Sequence, residues 1–410
     1  MRQAIVRLPR MRLLFAALIA IAITGGVAAA SSGAAPAARA AASKSTWVIG
    51  NIGTYSGINS GNFLGGGQAL QAWADWTNAN GGIDGHHVKV ISLDDAGVAS
   101  TSVNDVKQLV QSDHVLAIVA MNSGDDADWA TYIQGTGVPV IGGSTPLPDF
   151  AGYSDYFPVG ATTNNSIPDL LLYAKNVLNQ TVGGYLGCEE APVCSALEPV
   201  YAAAYKGIGG NLAYNTLFSS SAPSYAAQCL AAQSAGVQDL EIIGPAPVIP
   251  KIAQNCQTQG YNPTLLLNDV VLTPSLGSSI GTADAVFGAD DVPFTDDGIP
   301  ATKAFHAAVA KYEPSVLNPA DFNQDDLDSW ASGQLFAAAA KAAKLGNKPT
   351  SKQLVAGLYK LKGVTLGGLT PPLTFNKGKP NSVSCIYIMS IFHGSIIEPQ
   401  GLKRYCPATG

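Results

Sequence analysis

Short apolar runs alternate with amphipathic stretches over most of this chain. Trp47–Ile52, Val88–Leu93, Val115–Ala120 and Val138–Ile141 are rich in Val, Ile, Leu and Ala. A second series follows at Tyr156–Val159, Val182–Leu186, Leu212–Phe218, Leu240–Ile243 and Leu265–Leu267. Brief apolar runs separated by helical patterns predict parallel strands covered on both faces. Between the first two runs, Phe63, Leu70, Ala74 and Thr77 recur at helical spacing, and Asn80-Gly81-Gly82 supplies a stop. Residues 46–95 therefore read as a βαβ unit opening an α/β fold. Its first loop, Gly53-Thr54-Tyr55-Ser56-Gly57, lies beyond a strand's carboxyl end, where open α/β sheets bind ligands. Helical patterns take over from about Ile299 to Tyr359. Asp325 and Asp326 open a long helix that Lys341 and Lys344 close, in the order the helix dipole favours. Strand-like Leu373–Phe375 and Val383–Ile391 end the chain, and the two series of βα units predict two similar lobes.

Residues 1–40 do not fit that pattern. Arg2, Arg7, Arg10 and Arg12 precede the uncharged run Leu13–Val27, and small residues follow. This is the layout of a secretory signal, with cleavage expected after Ala30 or Ala40. An uncleaved anchor is the alternative. No cysteine precedes Cys188, so a lipid anchor through an N-terminal thioether is not expected.

Without residues 1–40 the chain loses five of its 23 basic residues and no acids, leaving 18 against 29 and a net charge of −11. That balance argues against nucleic acid as a partner. Arg404 becomes the only arginine, so a bidentate guanidinium clamp on phosphate or carboxylate is effectively excluded. Six cysteines in an exported chain suggest disulfides, and fifteen pairings are open. Pairing of neighbours is favoured: Cys188 with Cys194, Cys229 with Cys256, Cys385 with Cys406. No Cys-x-x-Cys occurs, and no metal or cofactor is expected. His86-His87 reads as a solvated turn. Gly-x-Ser-x-Gly, Walker, Gly-x-Gly-x-x-Gly and His-Glu-x-x-His patterns are missing at the positions that would matter, so no enzyme is expected. Gly65-Gly66-Gly67 reads as close packing in the first helix. The pairs Asp125-Asp126, Asp290-Asp291 and Asp296-Asp297 read as solvated helix starts.

Ile49-Gly50 leading to Gly53-Thr54-Tyr55-Ser56-Gly57, then Asn78-Ala79-Asn80-Gly81-Gly82-Ile83-Asp84-Gly85, carry a resemblance. Leu93-Asp94-Asp95, the apolar run 115–119 and Gly137-Val138-Pro139-Val140-Ile141 continue it in order and spacing. The chain resembles the type 1 periplasmic binding proteins, in particular the branched-chain amino acid substrate-binding family of ABC importers. The resemblance implies two Rossmann-like lobes joined by three crossovers, with a ligand cleft between them. Lobe one would be 44–162 plus 292–375, and lobe two 163–291 plus 376–410. It implies a monomeric, secreted or cell-surface protein that captures a small polar ligand, an amino acid or related carboxylate or amide, for ABC permease subunits. An extracellular sensing module is the alternative.

In such relatives hydroxyls and backbone N–H groups of lobe one hold the ligand carboxylate. The matching positions are Asn122-Ser123-Gly124 and Gly143-Ser144-Thr145. An acid of lobe two that holds the ligand ammonium matches Asp269, while its second acid falls near Thr163, which is not acidic. A cleft aromatic matches Tyr55, with Ser56 beside it on the same wall. Two further aromatic positions fall near Cys188–Cys194 and at Gly244-Pro245-Ala246-Pro247, where this chain has none.

Overall fold

The computed structural model describes residues 44–57, 60–144 and 148–406. The signal-like residues 1–40 and Thr145 lie outside the described residues. Five parallel strands form the first sheet: β1 (Trp47–Gly53), β2 (Val88–Asp94), β3 (Ile118–Met121), β4 (Val140–Gly143) and β5 (Tyr156–Phe157), in the order β2-β1-β3-β4-β5. Tyr156–Phe157 thus completes the first sheet rather than opening the second series. The second sheet holds β6 (Val182–Cys188), β7 (Asn211–Phe218), β8 (Asp239–Ile243), β9 (Thr264–Asn268) and β10 (Ala285–Ala289). After the small ribbon of β11 (Lys362–Val364) and β12 (Leu373–Thr374), β13 (Tyr387–Phe392) and β14 (Ser395–Ile397) return to it. The order is β14-β13-β10-β9-β8-β6-β7, with β13 and β14 antiparallel.

The central strands of both sheets are buried on both faces, which is why they read as apolar runs rather than as alternation, while the edge strands β2 and β7 are partly exposed. On one face of the first sheet, Trp47 and Ile49 pack with Trp73 of the helix Gly66–Ala79 and Phe336 of the helix Gln324–Ala343. On the other, Ile52, Ile118 and Val140 pack with Leu109 and Trp129 of the helices Ala99–Gln111 and Ala127–Gln134. Each such large side chain contributes roughly 2–3 kcal/mol by leaving water. The turn after the first helix runs through Gly81 and Gly82 at φ 91° and 74°, where a side chain would be strained.

The chain passes between the sheets three times, so the fold is two-lobed. The passages lie side by side. Ala161 and Thr162 donate backbone N–H bonds to the carbonyls of Asp290 and Val383, at 3.4 and 3.1 Å. Asn165 Nδ2 donates to Val383 O at 2.8 Å, and Asn381 Nδ2 to Tyr156 O at 2.8 Å. A three-ply connection of this kind bends as a unit, which suits a hinge. Three disulfides, Cys188–Cys194, Cys229–Cys256 and Cys385–Cys406, all lie in the lobe of the second sheet.

Candidate functional site

The carboxyl ends of β1, β3 and β4 face those of β6, β8 and β9 across a cleft. Two adjoining cavities fill it, sharing Asn62, Phe63, Val193, Ile243 and Gly244. Their empty space, open mouths included, is about 540 and 480 Å³. Thr54, Gly124, Asp125 and Glu190 reach only the first; Ser144, Asn268 and Val270 reach only the second. Apolar side chains dominate the walls, and a few polar groups punctuate them, as in small-molecule sites generally.

Asn62 ties the two walls together. Its Nδ2 donates to Gly244 O at 3.3 Å, and its Oδ1 accepts from Ala246 N at 2.9 Å. Asn323 Nδ2, at the head of the long helix, holds Asn62 O at 3.1 Å. One amide of lobe one therefore reads both a donor and an acceptor on the loop after β8. The sequence offered Gly244–Pro247 as a cleft loop, but nothing pointed to Asn62.

Asp94 and Asp95 organise the lobe-one rim without any cation. Asp94 Oδ1 accepts from the backbone N–H of Tyr55, Ser56 and Ala96 at 2.9–3.1 Å. Partial burial pushes its carboxyl up, but these hydrogen bonds outweigh that and hold it below the usual range. Asp95 is fully buried. It accepts from Thr54 Oγ1 at 2.8 Å and Gly97 N at 2.9 Å, and from the Ser123 hydroxyl. The loops after β1, β2 and β3 are thereby fixed to one another.

That network decides where the expected ligand residues stand. Ser123 is fully buried with its hydroxyl given to Asp95 while it accepts from Asp125 N at 3.1 Å. Asn122 donates through Nδ2 to Ser329 Oγ at 2.9 Å. Tyr55 folds back into its own lobe, over Gly53 and Gly67, and donates to Asn51 Oδ1 at 2.8 Å. Thr54, not Tyr55, lines the first cavity. Ser56 is exposed on the outer rim and Gly143 is buried in β4. Gly124 and Ser144 do line the cavities, one each. Asp269 accepts from Asp290 N at 3.1 Å through Oδ2 and so faces the second crossover, between Asn268 and Val270, which line the second cavity. Thr163 is buried at the start of the helix Thr163–Tyr173, beside the first crossover. Cys194 of the Cys188–Cys194 bridge lines the first cavity, so that bridge stiffens part of its wall.

Two of the three acidic pairs are not solvated. Asp125, Asp126, Asp290 and Asp291 are all buried, as are Asp325, Asp326 and Asp328; only Asp296 and Asp297 face solvent. Residues 322–333 are buried without a break, because the long helix threads between the first sheet, the first helix and the crossovers. Its start is closed by a capping box, with Asp326 Oδ2 accepting from Asn323 N at 3.1 Å. Gly65 and Gly66 make room for it. A Cβ on Gly66 would collide with Asn122 Nδ2 and Asp325 Oδ2, and one on Gly65 with Asp326. Burial and then Asp328, Asp290 and Asp269 nearby raise Asp291 well above the usual range. Burial raises Asp269 to about 7, the carboxyl losing more water than its backbone hydrogen bonds replace. His86 is likewise not solvated: it stacks on Trp47 at 4.4 Å between centroids, with Nδ1 2.8 Å from Ser45 O. Among the described residues no group of three or more His, Cys, Asp or Glu is arranged to hold a metal.

A profile of the family described as periplasmic binding protein matches residues 46–395. No curated protein matches the chain. Among solved structures, the chain is similar to a branched-chain amino acid ABC transporter protein from Thermus thermophilus with bound valine. That match has a TM-score of 0.77 at 13% identity, covering 88% of this chain and 97% of the other. It is also similar to the substrate-binding protein LivJ from Streptococcus pneumoniae in complex with isoleucine, with TM-score 0.71, 19% identity and coverage of 88% and 100%. A fatty acid ABC transporter substrate-binding protein from Thermomonospora curvata matches with TM-score 0.74, 15% identity and coverage of 89% and 93%. At such identities the likeness carries the fold, not the ligand.

Proposed function

Because the chain belongs to the periplasmic binding protein family, we propose that it is the extracytoplasmic solute-binding component of an ABC importer. It captures a small amphipathic solute, of amino-acid size, by closing its lobes and presents it to the permease. Residues 1–40 serve as its export signal. The hinge separates 44–162 plus 292–375 from 163–291 plus 376–410. The observation that carries this reading is the cleft itself. Strand ends of both sheets line the same cavities, three adjacent crossovers join them, and Asn62 bonds across.

The mechanism is equilibrium binding. A ligand that touches both walls stabilises the closed form over the open one by its differential contacts, and no bond is made or broken. Gly124 and Ser144 contribute from lobe one, and the loop after β9 that contains Asp269 from lobe two. Thermal-shift screening of the mature protein against amino acids, amides, short-chain acids, amines and polyols tests the reading. The expected result is a small set of solutes that raise the melting temperature, with a weaker effect in Ser144→Ala. No stabilising solute in any class would overturn it.

A further inference from the structure

The first cavity carries a carboxylate from each lobe, Asp125 and Glu190, and no Lys, Arg or His lines it. Asp125 is 7% exposed, and its Oδ2 has no hydrogen-bond partner. A buried carboxylate is tolerated as an anion only when it is paired. Its backbone N–H donates to Ser123 Oγ at 3.1 Å, which anchors the stretch of chain that carries this side chain at the cavity wall. Glu190 lines the same cavity from the loop after β6, but it is exposed and its carboxylate is taken up by Ser220 N at 2.7 Å, Ser220 Oγ at 2.9 Å and Ser219 Oγ at 3.1 Å. The lobe-one hydroxyl that would serve a ligand carboxylate, on Ser123, is already donated to Asp95. In the first cavity the Thr54 hydroxyl is likewise donated to Asp95 and Asn62 Nδ2 to Gly244 O, so its side-chain donors are engaged while Asp125 Oδ2 is not.

We infer that the ligand is a small organic cation, a primary ammonium on an apolar body, with its charge held by Asp125 at the wall of the first cavity. The apolar body fits the adjoining space walled by Phe63, Val193, Leu197, Ile243 and Val270. This rests on the reading of the chain as a solute-binding protein. It also gives closure a specific driving force. Closing lays the lobe-two wall of Ala191, Val193 and Ile243 over the cavity that Asp125 lines, and a carboxylate shut away from water without a partner is costly unless a cation lies beside it. An ammonium removes that penalty only in the closed form, so it shifts the hinge equilibrium. Burial, with Asp95 and Asp128 nearby, raises Asp125 to about 6. The charged groups that act on Asp125, Asp95 across the rim and Asp128 on the following helix, are both acidic. A bound ammonium holds it ionised, and affinity rises with pH through that value.

The test uses the mature protein and matched compounds on two skeletons: isoamylamine, isovaleric acid and isovaleramide, and benzylamine, benzoic acid and benzamide. Binding is read by calorimetry. The amines are expected to bind and to bind more tightly as pH rises from about 5 to about 7, while the acids and amides do not bind. Asp125→Asn keeps shape and removes charge, and is expected to weaken the amines by about ten- to a hundredfold. Asp126→Asn, which alters the buried neighbour that does not line the cavity, is expected to leave that affinity unchanged. Binding of an acid in preference to its amine, an affinity that falls over that pH range, or no binding by either amine overturns the cation. The solute-binding reading survives each of these if the broad solute screen still yields a stabilising ligand.

Discussion

Stability should fall as the pH rises from about 4 to about 7, the reverse of a protein held by paired carboxylates. Several buried carboxyls act in this sense, and two of them size one share of the effect. Burial raises Asp239, which accepts from Tyr205 Oη, from 3.8 to about 6. It raises Asp269 from 3.8 to about 7. Both are at most 1% exposed, so solvent screening takes little away. At about 1.4 kcal/mol per tenfold change in proton affinity, these shifts correspond to about 3 and about 4 kcal/mol. The sign follows from linkage. Below about pH 4 both folded and unfolded carboxyls are protonated, and the stabilisation is fully present. As the pH rises, the unfolded chain ionises first, and the benefit is gone once the folded groups ionise near 6 and 7. The two together amount to at most about 7 kcal/mol. With an unfolding entropy of roughly 2.1 cal/mol/K per residue over about 360 ordered residues, that is a drop of roughly 9 °C in melting temperature. Asp94 and Glu190, held below the usual range, oppose the trend only in its acidic part. Differential scanning calorimetry across this range, on wild type and on Asp239→Asn/Asp269→Asn, measures it. Asparagine keeps the acceptor for Tyr205 and for Asp290 N, so the double variant should show a visibly flatter slope. A wild-type melting temperature that is flat or rises with pH, or an unchanged slope in the double variant, refutes the reasoning.

Further outcomes can be checked independently. Asn62→Ala removes both bonds to the loop after β8 and should weaken ligand binding about tenfold through the closed state, with little change in unliganded melting temperature; titration calorimetry reads the first and scanning calorimetry the second. Gly66→Ala forces a methyl into Asn122 and Asp325, and should cost about 1–3 kcal/mol in denaturant unfolding. Replacing Cys229 and Cys256 by serine opens a crosslink with a sequence separation of 27 and should cost about 3 kcal/mol in the same assay.

Much of the architecture was legible because strands covered on both faces announce themselves as apolar runs. Trp47–Gly53, Val88–Asp94 and the helix between them follow directly from period and punctuation. β10 escaped because Ala285–Ala289 is built mainly from small residues, Ala and Gly, and only β9 and β13 on either side make it a strand. The site was less legible, and for one physical reason. Adjacent aspartates are normally solvated, yet Asp125-Asp126 and Asp325-Asp326 are buried, Asp326 held by the backbone N–H of Asn323. The shortage of arginine and the run Gly65-Gly66-Gly67 were the available signals, since three glycines in a row leave space that something must fill. Asp325 and Asp326 fill it. Tyr55 illustrates the same limit. Its position beside the cleft was evident, but its inward turn depends on Asn51 and on the missing side chain of Gly67. Asn62 sits in a short turn between a loop and a helix, and no sequence pattern distinguishes an amide that latches two lobes from one that faces water.

Small-angle X-ray scattering of the mature protein, with and without the best ligand from the solute screen, tests the central claim most directly. Closure of two lobes about the three adjacent crossovers predicts a smaller radius of gyration on binding, and a reduced change in Asn62→Ala. A ligand that binds tightly while the scattering curve stays the same would contradict it.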